Sequence, residues 1–160
     1  MTESPQRIAE LLALYRRTHY DVALPGGIRA TLRIDEPPPR SITEWIAADA
    51  HAVYLTACNP HSRTLTAADN EARLDELRRR LRRAGARWLE GTAAIPDQPW
   101  REASLLTAGL PLERFDTLAR AFGQNASVHV RADAPARLRL HRGDWRGLAP
   151  PGDALEWDDG

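Results

Sequence analysis

The stretch from His51 to Asn70, HAVYLTACNPHSRTLTAADN, constrains the fold of this chain more than any other. Ala52 to Ala57 is a short run of apolar and β-favouring residues, which reads as a buried strand. Asn59-Pro60 then marks a turn, His61 and Ser62 continue a polar loop, and Thr66 caps the helix that follows. That helix runs to Gly85, with Leu74, Leu77, Leu81 and Ala84 in one stripe. A buried strand feeding an amphipathic helix is a unit of layered α/β folds, which tend to carry binding and catalytic groups on loops at strand ends.

The rest of the chain repeats the theme with shorter connections. Ser4-Pro5 opens a helix whose Ile8, Leu11, Leu12 and Tyr15 share a face. Tyr20 to Leu24 and Ile28 to Ile34 read as strands around Pro25-Gly26-Gly27. In the second, Ile28, Ala30, Leu32 and Ile34 alternate with Arg29, Thr31 and Arg33. Pro37-Pro38-Pro39 is an extended spacer, and Ser41-Ile-Thr-Glu44 forms a capping box that predicts a helix to about Ala48. Strands follow near Arg87 to Ile95 and Arg101 to Ala108. Pro111 opens a helix with Leu112, Phe115, Leu118, Ala119 and Phe122 on one face, closed by Gly123. A last hairpin spans about Ala126 to His141. Beyond Gly143, Asp144, Asp153, Glu156, Asp158 and Asp159 stand against Arg146 alone, the pattern of a loosely held acidic tail. Turns join several neighbouring strands, so the sheet should be mixed. The expectation is an α/β (α+β) fold, one domain over residues 1–142 with an acidic tail over 143–160. It should have about six or seven strands and about four helices packed on them.

Composition removes several kinds of chemistry. All 22 basic residues are Arg, so a Schiff base, a lysine general base and a P-loop lysine are excluded. They balance 22 acidic residues, and a net charge of zero steers the molecule toward neither nucleic acid nor an anionic membrane. Cys58 is the single cysteine, which excludes an intramolecular disulfide and a CxxC zinc site. The start, MTESPQRIAELL, lacks the apolar core of a signal peptide, and no apolar run is long enough to span a bilayer. A cytoplasmic setting is the simplest address. Arg in place of Lys, with abundant Ala, suggests a GC-rich bacterial genome.

The charge run Arg78 to Arg83 could lie on a nucleic-acid backbone. A solvated helix is the stronger reading: Asp69, Glu71, Asp75 and Glu76 occupy its first half, and Asp75–Arg79 and Glu76–Arg80 are acid-first pairs four apart. Asn70 begins the stripe that is otherwise apolar, so it must brace the neighbouring loop or line a cavity, and bracing is the commoner outcome. Asn59-Pro60-His61-Ser62 is either a turn or a ligand-holding loop. Cys58 reads as a small buried residue rather than a nucleophile. The five histidines show no metal-ligand spacing. Tyr15, Thr18 and Tyr20 flank the end of the first helix and could share a cleft, although Tyr15 as core and Thr18 as helix end is the plainer reading. Glu102 and Ser104 share a strand face with Leu106, where a carboxylate is either in water or buried and perturbed. Gln124 and Asn125, after Gly123, either satisfy helix carbonyls or close a polar pocket.

The elements YRRTHY (Tyr15 to Tyr20), LTACNPHS (Leu55 to Ser62), Asn70, PWREASLL (Pro99 to Leu106) and AFGQNAS (Ala121 to Ser127) together resemble a bacterial domain-of-unknown-function family of the DUF3293 type. In that family Tyr-x-x-Thr-x-Tyr, Thr-Ala-x-Asn-Pro-x-Ser and Phe-Gly-Gln-Asn-Ala elements occur in this order. The resemblance runs from about Ile8 to Leu140 and implies a small bacterial protein without naming an activity. The residues themselves support a domain that binds a small polar ligand or a protein partner, with Tyr15, Thr18, Tyr20, Thr56, Asn59, Ser62, Asn70, Glu102, Gln124 and Asn125 as ligand-binding candidates. Asn59, Asn70, Glu102 and Asn125 are expected to converge, with the Glu102 pKa raised by burial. The alternatives are a hydrolase or transferase using Glu102 as acid/base with His61 or Ser62, and nucleic-acid binding through Arg78 to Arg83, which the zero net charge disfavours. No cofactor, metal or membrane association is expected.

Overall fold

Eight strands form one curled sheet in the computed structural model, which describes residues 3–150 and 154–160. Helix α1, Pro5–Arg17, starts where Ser4 Oγ accepts from the Arg7 N–H, and Pro5 occupies the first turn, where no N–H is needed. It leads into strand β1, His19–Ala23, which pairs with β2, Arg29–Leu32, across a Pro25–Gly27 turn. Gly26 and Gly27 supply the positive φ values there. The alternation of β2 places Leu32 and Ile34 in the core, but Ile28 lies before the strand and is 53% exposed.

Helix α2, Arg40–Ile46, begins one residue before the expected capping box, and the box is not made. Pro39 is already extended, and its carbonyl accepts from the N–H groups of Ile42 and Thr43, so it takes the cap position. Glu44 pairs with Arg40 at 2.8 Å and does not reach back to Ser41.

Strand β3, His51–Leu55, is followed by α3, Ala67–Arg83, capped by Thr66 Oγ1 on the Asp69 N–H. Strands β4, Arg87–Ala94, and β5, Arg101–Ala108, form the longest ladder, and α4, Leu112–Ala121, ends at Gly123. Strands β6, Ala126–Arg131, and β7, Arg137–Leu140, make the final hairpin, with β8, Glu156–Trp157, beside it. The order is β2-β1-β4-β5-β3-β6-β7-β8, antiparallel throughout except between β7 and β8. Strand β3 thus sits between β5 and β6, both distant in sequence.

Alternation along the strands feeds two cores. On one face Ile8, Leu11 and Leu12 of α1 and Ile42 and Ile46 of α2 pack on Tyr20, Val22, Tyr54, Leu106, Val128 and Leu138. On the other, Leu74, Leu77 and Leu81 of α3 and Phe115 of α4 pack on Val53, Leu55 and Leu105. No helix among the described residues is long and apolar enough to cross a membrane.

The C-terminal segment departs from expectation. Asp153 lies outside the described residues, but the flanking parts are docked rather than loose. Trp145 is fully buried and donates its Nε1–H to Glu3 at 3.0 Å. Glu156 accepts from Arg139 at 3.2 Å and sits 2.8 Å from His129 Nδ1. Asp158 pairs with Arg120 and with His141 Nδ1 at 3.0 Å. The acids look surplus when charge is counted within the tail, because their cations lie in α4, β6 and β7. The strand count rises to eight for the same reason.

Candidate functional site

Thr56 begins the site by turning the chain off β3. Its Oγ1 donates to the Ala103 carbonyl at 2.7 Å and accepts from the Cys58 N–H at 3.1 Å. Asn59, His61 and Ser62 then adopt left-handed backbone with φ of 47°, 52° and 60°. Asn tolerates this; His and Ser pay roughly 1 kcal/mol or more each and stay only because surrounding bonds fix them.

Those bonds form one connected set. The Asn59 N–H donates to Asn70 Oδ1 and the Asn70 Nδ2–H to Asn59 Oδ1, both at 2.9 Å. Asn59 Oδ1 also accepts from the Leu65 N–H at 3.0 Å, while Asn59 Nδ2 donates to Glu102 Oε2 at 2.9 Å. Asn70 therefore braces the loop, which accounts for an amide on an apolar stripe. From the turn after α4, Gln124 Nε2 donates to the Cys58 and Phe122 carbonyls at 3.0 and 3.2 Å. Asn125 Nδ2 donates to Tyr15 Oη at 3.2 Å and Ser62 Oγ at 3.0 Å, and its Oδ1 accepts from Arg142 at 2.9 Å.

These groups border a cavity of about 360 Å³ between α1 and the sheet. Nine of the expected residues line it: Tyr15, Thr18, Tyr20, Thr56, Asn59, Ser62, Glu102, Gln124 and Asn125. Asn70 stands behind the wall, on a shallower groove that shares Asn59 and Glu102 with the cavity. His61 is outside the lining: its N–H donates to the Gly123 carbonyl at 2.8 Å and its ring lies exposed beside that glycine. Sequence reasoning did not find Arg7, Leu11, Leu14, Trp100 or Val128, which supply a rim and an aliphatic lining.

Glu102 is the electrostatic centre. Burial pushes its carboxyl up to about 7, and the bond from Asn59 offsets this only in part. Among the described residues Asn59 is its only hydrogen-bond partner, and no cation pairs with it. The surrounding hydroxyls are committed to backbone carbonyls: Thr18 to Leu14 and Tyr20 to Tyr15 at 2.8 Å, Tyr54 to Asp21 at 3.0 Å. Burial raises the phenol pKa of all three tyrosines, so none offers a phenolate. It raises the Cys58 thiol too, which makes that cysteine a poor nucleophile.

Gly123 holds the loop against α4. Its φ is +68°, and a Cβ built there would lie 2.8 Å from Pro60 Cβ. Gly123→Ala is expected to destabilise the protein by about 1–3 kcal/mol in chemical denaturation. A loss below about 0.5 kcal/mol would show that the loop yields freely.

A second polar cluster lies on the other face, where alternation sends Ser127 and His129 while Val128 and Val130 enter the α1 and α2 core. Arg139 grips Asp116 with two bonds, at 2.8 and 2.7 Å. Ser127 Oγ is 2.9 Å from His141 Nε2, and His141 Nδ1 is 3.0 Å from Asp158. This Ser-His-Asp order matches that of a nucleophilic triad, but Ser127 is only 3% exposed. The ligand atoms of Asp116, His141 and Asp158 lie within 4.8 Å of one another, but Arg139 and Arg120 already neutralise the two carboxylates. Asp116 was legible in principle, because it falls on the buried stripe of α4 beside Phe115 and Ala119.

Residues 55–127 match a family model described as "Protein of unknown function (DUF3293)". The match supports the DUF3293-type family to which the motifs pointed. It contains the Asn-Pro loop, Asn70, the Glu102 strand and the Gly-Gln-Asn turn, while Tyr15 to Tyr20 precede it. No curated protein and no solved structure matches the chain.

Proposed function

We propose that this protein binds a small polar ligand in the cavity between α1 and the sheet. The observation that carries the reading is a half-buried, uncompensated Glu102 carboxyl facing a cavity walled by amides, hydroxyls and aliphatic side chains. Cavities of this size, mostly apolar with a few convergent polar groups, are the usual form of small-molecule sites. The all-Arg composition and single cysteine support a bacterial, cytoplasmic setting.

Binding is favoured over the hydrolase reading by the partners of the candidate groups. Ser62 Oγ receives a hydrogen bond from an amide and faces no base, and His61 does not line the cavity. Nucleic-acid binding is disfavoured because most arginines of α3 already have partners. Arg78 pairs with Asp75 and Glu90, Arg79 and Arg80 with Glu76, and Arg82 stacks on Trp88.

The test is a nuclear magnetic resonance titration of the full chain with a panel of small amides, ureas, amines and nucleobases. Binding should shift the amide signals of Tyr15, Asn59, Glu102 and Asn125. Ala126→Phe, which fills the cavity from β6, should abolish those shifts. Shifts that persist in Ala126→Phe, or a panel that leaves all four signals unmoved, would overturn the proposal.

A further inference from the structure

A census of hydrogen-bonding capacity around the cavity separates donors from acceptors. In the interior of the cavity the donors are mostly spent inside the protein, while Arg7, Thr64, Gln98 and Trp100 keep theirs at the exposed rim. Both Gln124 Nε2 bonds go to carbonyls, both Asn125 Nδ2 bonds go to hydroxyls, and Thr18, Tyr20, Tyr54 and Thr56 each donate to a backbone carbonyl. Ser104 donates to the Glu102 carbonyl at 3.2 Å. The acceptors are left over. Glu102 Oε1 and Gln124 Oε1 carry no hydrogen bond from any described residue, and neither is sealed from the cavity as a buried unsatisfied atom. Tyr15 and Ser62 are hydrogen-bonded to each other, so of the hydroxyls named above that pair keeps a single proton free to donate.

A cavity interior rich in acceptors and poor in donors, with one carboxyl, complements a ligand of the opposite kind. Resting on the small-ligand reading above, we infer that the cavity selects an organic cation, a primary ammonium or amidinium on an apolar body, with its charge on Glu102. An ammonium carries three donors and an amidinium four, and neither has an acceptor to leave unpaired. In a cavity of low dielectric the ion pair would be charge-assisted, and Asn59 would hold the carboxylate in place through Oε2 while Oε1 meets the ligand. Leu11, Leu14, Ile95, Val128 and Leu138 would take the apolar body. Trp100, 37% exposed, also borders the cavity. Arg7, the lining cation, stands at the exposed rim 3.6 Å from Glu10.

The experiment compares three isosteric probes, benzamidinium, benzamide and benzoate, by calorimetry and amide chemical shifts on the full chain at pH 8. Benzamidinium should bind about tenfold or more tighter than benzamide, and benzoate should bind most weakly. Glu102→Gln should erase the advantage of the cation while leaving benzamide binding in place. If that variant fails to fold, Glu102→Asp, which keeps the charge, must retain the preference. Benzamide or benzoate binding as tightly as benzamidinium, with the cavity signals shifting, would overturn the inference and leave the binding site standing. No shift with these probes or with the wider panel would overturn both.

Discussion

A chain ending at Arg142 is expected to lose its cooperative thermal transition, or to melt at least about 15 °C lower than the full protein. Trp145 is fully buried, and emptying the space of a core tryptophan alone costs about 3–5 kcal/mol. The same cut thins the charge network, although Arg139 keeps Asp116 and Arg142 keeps Glu3. Arg139 loses Glu156, His129 loses Glu156, His141 loses Asp158 and Arg142 loses Asp144. Because both arginines keep a carboxylate, these losses add about 1 kcal/mol apiece rather than the full cost of a stranded buried charge. Domains of this kind are stable by only about 5–15 kcal/mol, so these losses together approach the whole. Circular dichroism against temperature measures the effect, and Trp145→Ala in the full chain isolates the packing part. A truncated chain melting within about 3 °C of the full one would mean that this segment is a mere appendage.

Glu102→Gln should make the protein more stable at pH 8 by about 2–3 kcal/mol, while leaving stability near pH 4 almost unchanged. The folded carboxyl titrates at about 7, against an ordinary 4.5. Below the lower value both folded and unfolded chains hold the proton, and the neutral group contributes its full stability. As pH rises from 4.5 toward 7 the unfolded chain releases the proton while the folded chain keeps it, so that contribution is progressively lost. Above about 7 the loss is complete. Gln presents the same oxygen to Asn59 Nδ2 and never ionises. Burial depresses the His141 pKa and acts in the opposite sense, so only the difference between the two proteins isolates Glu102. Denaturant melts at pH 4, 6 and 8 would give that difference. Parallel curves would show that Glu102 titrates normally.

Much of the secondary structure was legible in the sequence because its signals are local. Thr66 and Gly85 bracket α3, Gly123 ends α4, and the period-two and helical patterns identify seven of the eight strands. The polar loop and Asn70 were readable because an amide on an apolar stripe must find partners. What escaped is non-local. No property of β3 itself says that it inserts between β5 and β6, and without that order the approach of Asn59 to Glu102 could only be supposed. The tail was misjudged because Asp158 finds Arg120 and His141 only through the fold. His61 and Ser62 are neighbours in sequence, yet the left-handed turn sends one outward and gives the other to Asn125.

The same long reach has a kinetic consequence. Asn125 and Tyr15 meet across 110 positions and Asn59 and Glu102 across 43, so no short fragment of the chain contains the cavity. Closing such long loops is slow and comes late, after nearer contacts such as the β4–β5 ladder have formed. A molecule seated in the cavity would then have nothing to grip in the unfolded chain or at the folding barrier. Its free energy would appear almost entirely as slower unfolding, with the folding rate untouched.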